Sequence, residues 1–154
     1  MKIVICGAGE VGAYASEVLD RRGESITVVD ASAERLRTLE ENLDIRTLVG
    51  NCGRADVLAE AGCGTAGLVV LATDNDEVNL LAATIAKRLG AGRVVARVHD
   101  FAYIDQKEID YSAALGIDRL ICPEHSTALA IASTLRNPAA TAVESFARGQ
   151  VQME

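Results

Sequence analysis

Short apolar runs alternate along this chain with segments of helical period, and that alternation limits the fold more than any other feature. The runs are IVIC (3–6), ITVV (26–29), TLV (47–49), LVVLA (68–72), VVARV (94–98) and RLIC (119–122), each too short for a helix. Rich in Val and Ile and apolar at successive positions, they suit strands covered on both faces, as in a parallel sheet. Between them, apolar residues recur at helical spacing: Val11, Ala15, Val18 and Leu19 in the first segment, and Val78, Leu81, Ala82, Ile85 and Leu89 in the fourth. Strand–helix–strand units joined by right-handed crossovers predict an α/β fold, a Rossmann-like doubly wound six-stranded parallel sheet with helices on both faces. Ligands of such sheets sit beyond the carboxyl ends of the strands, near the point where strand order reverses.

After the last run, PEHSTALAIASTLR (123–136) reads as a C-terminal helix, with Pro123 in its first turn and Asn137-Pro138 ending it. TAVESFARGQVQM (141–153) then reads as a strand, a turn around Arg148-Gly149 and the start of another strand. The expected organisation is one domain over 1–136 and a short β tail over 137–154 leading towards a further domain. A chain of 154 residues suffices for one domain with a sizeable core.

The formal charge of -7 repels phosphate backbones and anionic lipid, which argues against nucleic-acid binding and direct membrane insertion. No apolar run approaches the roughly 20 residues of a membrane span, so a cytoplasmic location is expected. Cys6, Cys52, Cys63 and Cys122 lack C-x-x-C spacing, which suggests neither a zinc knuckle nor a disulfide framework.

Gly7-Ala8-Gly9-Glu10-Val11-Gly12 matches G-x-G-x-x-G in the context that gives the pattern meaning: it follows a strand and opens an amphipathic helix. Gly7 would make the tight turn, Gly9 would let a pyrophosphate approach the backbone, and Gly12 would let helix and strand pack closely. Amides at the helix start would hold the anion. The second run ends in Asp30, placed to accept hydrogen bonds from a ribose diol and to repel a 2′-phosphate, with Ala31 beside it. NAD or an adenine nucleotide is therefore expected over NADP. Glu10 weakens phosphate affinity unless it points away from the site. Arg35 and Arg97 are candidates for a compensating cation or for ordinary surface arginines.

The loop after the third strand carries Asn51, placed to read a base edge, and Cys52, which reads as a small apolar residue more than as a redox sensor. Ala72, Thr73 and Asp74 at the fourth strand end would face the pyrophosphate or the distal half of the ligand. Asp74 with Glu77 reads as a cap for the fourth helix in preference to a metal site. Tyr103 and Lys107 match the Y-x-x-x-K pair of short-chain dehydrogenases, and one helical turn would set them side by side. The glycine loop differs from that family's, and residues 86 to 95 contain neither Ser nor Thr to complete the site. The pair therefore reads as an exposed helical face.

Taken together, the stretches MKIVICGAGEVG, ITVVDASAERLRTL, VGNCGRADVLAEAG, LVVLATDNDEVNLLAATIAKRLG, VVARVHD and IDRLICPEHSTALAIASTL are similar to the regulator-of-potassium-conductance or TrkA-N domain of the TrkA family. The resemblance implies a non-catalytic cytoplasmic regulator, peripheral to the inner face of the membrane, that binds NAD(H), ADP or ATP. Its implied partner is an integral membrane potassium transporter or channel subunit, and its implied assembly a homodimer or ring. The residues that match are the loop glycines Gly7, Gly9 and Gly12, Asp30, Asn51, Cys52, Ala72 to Asp74 and Arg97, with Ala8, Glu10 and Val11 of the loop, Ala31 and Arg35 expected in the same cofactor site. Glu124 matches a position that resembles a divalent-cation or interface site of some relatives, and a carboxylate at a helix N-terminus explains it as well. The other reading is the cofactor-binding half of an NAD-dependent oxidoreductase, which would require a substrate domain elsewhere.

Overall fold

A computed structural model describes residues 1–136, 144–146 and 151–153. The chain divides into two compact units, Met1–Cys122 and Pro123–Glu154.

In the first unit, β1 (Lys2–Cys6), β2 (Ser25–Asp30), β3 (Arg46–Val49), β4 (Leu68–Leu71), β5 (Arg93–Arg97) and β6 (Arg119–Ile121) alternate with α1 (Glu10–Asp20), α2 (Ala33–Glu40), α3 (Ala55–Ala61), α4 (Asp76–Leu89) and α5 (Tyr111–Leu115). The six strands form one parallel sheet in the order β3-β2-β1-β4-β5-β6. Strand order reverses between β1 and β4. This is the doubly wound sheet that the alternation of runs predicts.

The strands are apolar on both faces because both faces are covered. Ile3, Ile5, Ile26 and Val28 pack with Leu36 and with Ala15 and Leu19 of α1 on one side. Val4, Cys6, Val29, Val69, Leu71, Val94 and Ala96 pack on the other side with Leu58 of α3 and with Leu80, Ala82, Ala83 and Ala86 of α4. Each Val, Leu or Ile buried in this way contributes about 1.5–3 kcal/mol against conformational entropy. The buried face of α4 is rotated from the predicted stripe: Leu80 and Ala83 point inward, while Leu81 is 52 % exposed. The small residues at 82, 83 and 86 let α4 lie close to the sheet, and close approach selects that face over the bulkier Leu81 side.

The second unit contains α6 (Pro123–Arg136), which spans the predicted helix, and β7 (Glu144–Phe146) paired antiparallel with β8 (Val151–Met153). The turn expected around Arg148-Gly149 lies outside the described residues. No helix among the described residues is long and apolar enough to cross a membrane.

Candidate functional site

The carboxyl ends of β1 to β4 and the loops leaving them surround a cavity of about 310 Å³ at the point where strand order reverses. That is near the lower end of the ~300–1,000 Å³ usual for small-ligand sites.

The glycines shape its floor by steric necessity. Gly7 has φ +102°, and a Cβ there would lie 2.6 Å from the carbonyl oxygen of Ala72. Its N–H donates to the Val29 carbonyl at 2.7 Å, which turns the chain sharply off β1. A Cβ on Gly12 would lie 1.8 Å from the Gly7 carbonyl oxygen, so α1 can touch the loop only with glycine at this position. Gly9 differs from both. A Cβ there would meet only Asp74 Oδ1 at 3.7 Å and Arg35 Nη1 at 4.0 Å, so its missing side chain leaves open space inside the cavity. Because Gly9 is the N-cap of α1 and carries no side chain to cap it, the first amides of the helix are left for an anion. A phosphate group fits this cradle.

Asp30 ends β2 and lines the cavity. Its Oδ2 accepts the Ala8 N–H at 2.6 Å and its Oδ1 the Ser32 N–H at 2.7 Å. A carboxylate offers about four acceptor positions, so Asp30 holds the glycine loop in place and keeps capacity for a ribose diol. The loop-holding role has no counterpart in the sequence reading. Opposite it, Arg35 Nη1 lies 3.7 Å from Asp74 Oδ2, and both side chains are more than half exposed. Such a pair contributes under about 1 kcal/mol and leaves the guanidinium free to exchange partners.

Asn51 and Cys52 line the cavity, as do Ala31, Ala72 and Thr73. Asn51 Oδ1 already accepts the Gly53 N–H at 2.8 Å, which leaves its Nδ2 as the group for a ligand. Gly50, Asn75 and Val78 also line it, beyond the residues the sequence reading singled out. Ala8, Val11 and Gly12 do not line the cavity; Ala8, through its N–H to Asp30, and Gly12, through its close approach to Gly7, support the loop. Glu10 is exposed and outside the lining, in the first turn of α1 where a negative charge is favourable. Arg97, at the end of β5, also lies outside the lining. Glu124 belongs to α6 in the second unit and is exposed. Among the described residues no group of three or more His, Cys, Asp or Glu side chains could hold a metal ion.

The cap of α4 is Asn75, which corrects the expectation of Asp74. Asn75 is extended and its side chain accepts the Val78 N–H at 2.7 Å. The helix begins one residue later than the Asp74–Glu77 spacing implies, because hydrogen bonds between Thr73 and Asn75 tighten the preceding turn. Asp74 is thereby left at the mouth of the cavity.

Two buried polar side chains brace this rim. Asn79, fully buried in α4, bonds Thr73 and the carbonyl of Arg97. Asp76 accepts the N–H groups of His99 (2.9 and 3.0 Å) and Asp100 (2.9 Å), and its Oδ1 lies 2.9 Å from His99 Nδ1. Burial pushes the Asp76 carboxyl up, but the amides of Asp100 and His99 and the imidazole outweigh it and hold the group below the usual carboxylate range. An ionised carboxylate only accepts, so Nδ1 of His99 is the donor in this contact. A carboxyl with a folded value below its unfolded one (about 3.9) adds stability above that pH and loses it as pH falls through the folded value. Asp76→Asn removes that contribution and is expected to cost about 1–2 kcal/mol at neutral pH. Thermal melts between roughly pH 5 and pH 2 should then fall more steeply for the wild type than for the variant. Parallel curves would show that Asp76 is not the group titrating.

The Tyr103–Lys107 pair does not form the expected helical face. Tyr103 ends a single 3₁₀ turn, Phe101–Tyr103, and the chain then bends, so one helical turn never places the ammonium beside the phenol. The Tyr103 hydroxyl donates to Glu77 Oε1 at 3.0 Å, and that carboxylate raises the phenol's pKa, opposite to what a proton donor to a carbonyl needs.

A TrkA-N domain family model matches residues 3–123, which is most of the chain. The chain belongs to the TrkA-N family. It is 41% identical to the Trk system potassium uptake protein TrkA of Halomonas elongata and 38% identical to that of Vibrio alginolyticus, each across 99% of this chain and 34% of the relative. The chain thus spans about a third of the length of the curated relatives it matches. Among solved structures, the TrkA-N domain of the inner membrane protein ybaL of Escherichia coli superposes with a TM-score of 0.76 at 21% identity, covering 87% of this chain and 96% of that one. GsuK bound to ADP gives 0.68 at 22% identity over 90% of this chain and 34% of that one. The GsuK channel bound to NAD gives 0.65 at 20% identity over 79% and 21%. At these identities the structures establish the shared TrkA-N fold.

Proposed function

We propose that this TrkA-N domain is a non-catalytic nucleotide sensor in a potassium transport system: it binds NAD(H) or an adenine nucleotide and regulates potassium flux through an integral membrane partner. The observation that carries the reading is the cradle at Gly9, open to the cavity, capping α1 and flanked by Asp30 for a ribose and Arg35 for a phosphate. The potassium-uptake names of the curated relatives, and the ADP and NAD of the GsuK structures, support it. Occupancy acts by favouring whichever conformation binds the nucleotide more tightly. On this reading the module works in the cytoplasm at the inner face of the membrane, held there by its partner. Leu129, Ile131 and Leu135 of α6, each more than half exposed in the single chain, pack against a second protomer in a dimer or ring.

Calorimetric titration with NAD, NADH, ADP, ATP and NADPH, with and without magnesium or calcium, tests this. Binding without NADH consumption is expected, with NADPH weaker than NADH. Asp30→Asn is expected to weaken binding about tenfold, equivalent to ~1.4 kcal/mol. NADPH binding as tightly as NADH would contradict the role given to Asp30, and turnover of NADH would replace the sensor by an enzyme. Divalent-cation dependence of the titration would bring Glu124 back as a ligand.

A further inference from the structure

The nucleotide reading leaves unused a pair of thiols beneath the cavity. Cys6 ends β1, Cys52 lies in the loop after β3, and both belong to the core on the α3 and α4 side of the sheet. The β1–β2 register sets Cys6 beside Val29, and the Cys52 thiol donates to the Val29 carbonyl at 3.8 Å. The two side chains therefore lie beside the same residue, Val29, on one face of the sheet. Only Cys52 reaches the cavity lining, and Cys6 is fully buried behind it.

We propose that Cys52 and Cys6 are a redox-active dithiol, with Cys52 the sulfur that meets a small peroxide through the cavity and Cys6 the sulfur that resolves it to a disulfide. The environment divides these roles. The neighbouring Cys6 thiol, with the amides of Cys52 and Gly7, draws the Cys52 thiol down against burial and the charge of Asp30. The Cys52 thiol and complete burial push Cys6 up. Cys63, in the same core, is pushed up to about 11 by burial and lies in the turn after α3, away from the cavity lining. Thiolate, not thiol, attacks peroxide.

In the first step the Cys52 thiolate attacks one peroxide oxygen. The O–O bond breaks, the sulfur becomes a sulfenic acid by loss of two electrons, and the departing hydroxide takes a proton to become water. In the second step the Cys6 sulfur attacks the sulfenic sulfur, its proton leaves with the displaced hydroxide as a second water, and the S–S bond forms. Closing to an S–S bond of about 2.05 Å pulls the loop after β3 onto the strand end that leads into Gly7. Nucleotide and disulfide then oppose each other, a coupling that rests on the nucleotide reading of this cavity.

The test treats the whole reduced chain with hydrogen peroxide and follows intact mass and peptides mapped without reduction. The expected product has lost two hydrogens, joins the Cys6 and Cys52 peptides and reverts with dithiothreitol. Cys6→Ser should stop at a sulfenic acid on Cys52 that dimedone traps, Cys52→Ala should block both steps, and the double variant Cys63→Ser with Cys122→Ser should oxidise as the wild type does. NADH or ADP at roughly ten times its Kd should slow the reaction about tenfold. Absence of the Cys6–Cys52 link in the folded wild type, or an unchanged oxidation rate in Cys52→Ala, overturns the dithiol. A link that forms at the same rate with every nucleotide leaves the dithiol standing and removes the nucleotide from the cavity.

Discussion

Alanine at position 12 is expected to abolish nucleotide binding and to destabilise the fold by at least about 3 kcal/mol, lowering Tm by roughly 6–12 °C in a chain of this size. The added methyl would sit 1.8 Å from the Gly7 carbonyl oxygen. The obstacle is backbone, so no rotamer change relieves it. Either α1 moves away from β1 or the Gly7 turn opens, and each motion breaks a contact seen here. Ser16, fully buried, donates to the Gly12 carbonyl at 2.7 Å, and the Gly7 N–H is bound to Val29. Gly9→Ala is the matched control. Its Cβ would meet nothing closer than 3.7 Å, so the protein should melt normally while the methyl fills the cradle and binding falls. Differential scanning fluorimetry with calorimetry separates the two cases. A Gly12→Ala protein that melts within about 2 °C of wild type and still binds ADP or NADH would show that the helix and loop need no such contact.

The difference between those two glycines marks what the sequence could and could not convey. The two-faced apolar runs encode the sheet directly, because a parallel strand must be apolar at consecutive positions and few other structures ask for that. The loop glycines, Asp30 and the ends of β3 and β4 were legible for the same reason: in a doubly wound sheet, position in the chain fixes position at the rim. What was not legible depends on rotation and on pairs far apart in sequence. The face of α4 that would be buried needed the depth at which Ala82, Ala83 and Ala86 seat the helix. The choice between Asp74 and Asn75 as cap turned on hydrogen bonds within one tight turn. Arg97 falls outside the cavity although its strand ends at the same rim, since β5 lies one strand beyond the reversal. Cys6 was invisible as a partner of Cys52 because only the β1–β2 register and the return of the β3 loop bring them together.

Asn79 is the residue that sequence patterns hid most completely, and replacing it by leucine is expected to destabilise the protein by about 4 kcal/mol or more. Its Oδ1 accepts the Thr73 N–H at 3.0 Å and the Thr73 hydroxyl at 2.6 Å. Its Nδ2 donates to the carbonyls of Thr73 and Arg97, both at 3.0 Å. Every hydrogen-bonding position of the amide is thus used, on a buried helix face where Asp76 is the other polar residue. Leucine matches the volume but takes the Asn79 hydrogen bond away from the Thr73 N–H and from the Thr73 and Arg97 carbonyls, at about 1–3 kcal/mol each. Thr73→Val removes the hydroxyl alone and should cost about 1 kcal/mol, and in the double variant the two losses should not add because they share one contact. Urea unfolding of the four proteins measures this directly, and strict additivity would mean that the network has no shared member. The same variants address function. Thr73 lines the cavity while Arg97 ends β5, so one buried amide fixes the ligand-facing loop to the next strand of the sheet. If a bound nucleotide shifts Thr73, Asn79 must either carry that shift to β5 or give up a hydrogen bond. Hydrogen exchange at the β5 end, slower on binding in the wild type and unaffected in Asn79→Leu, is the expected result.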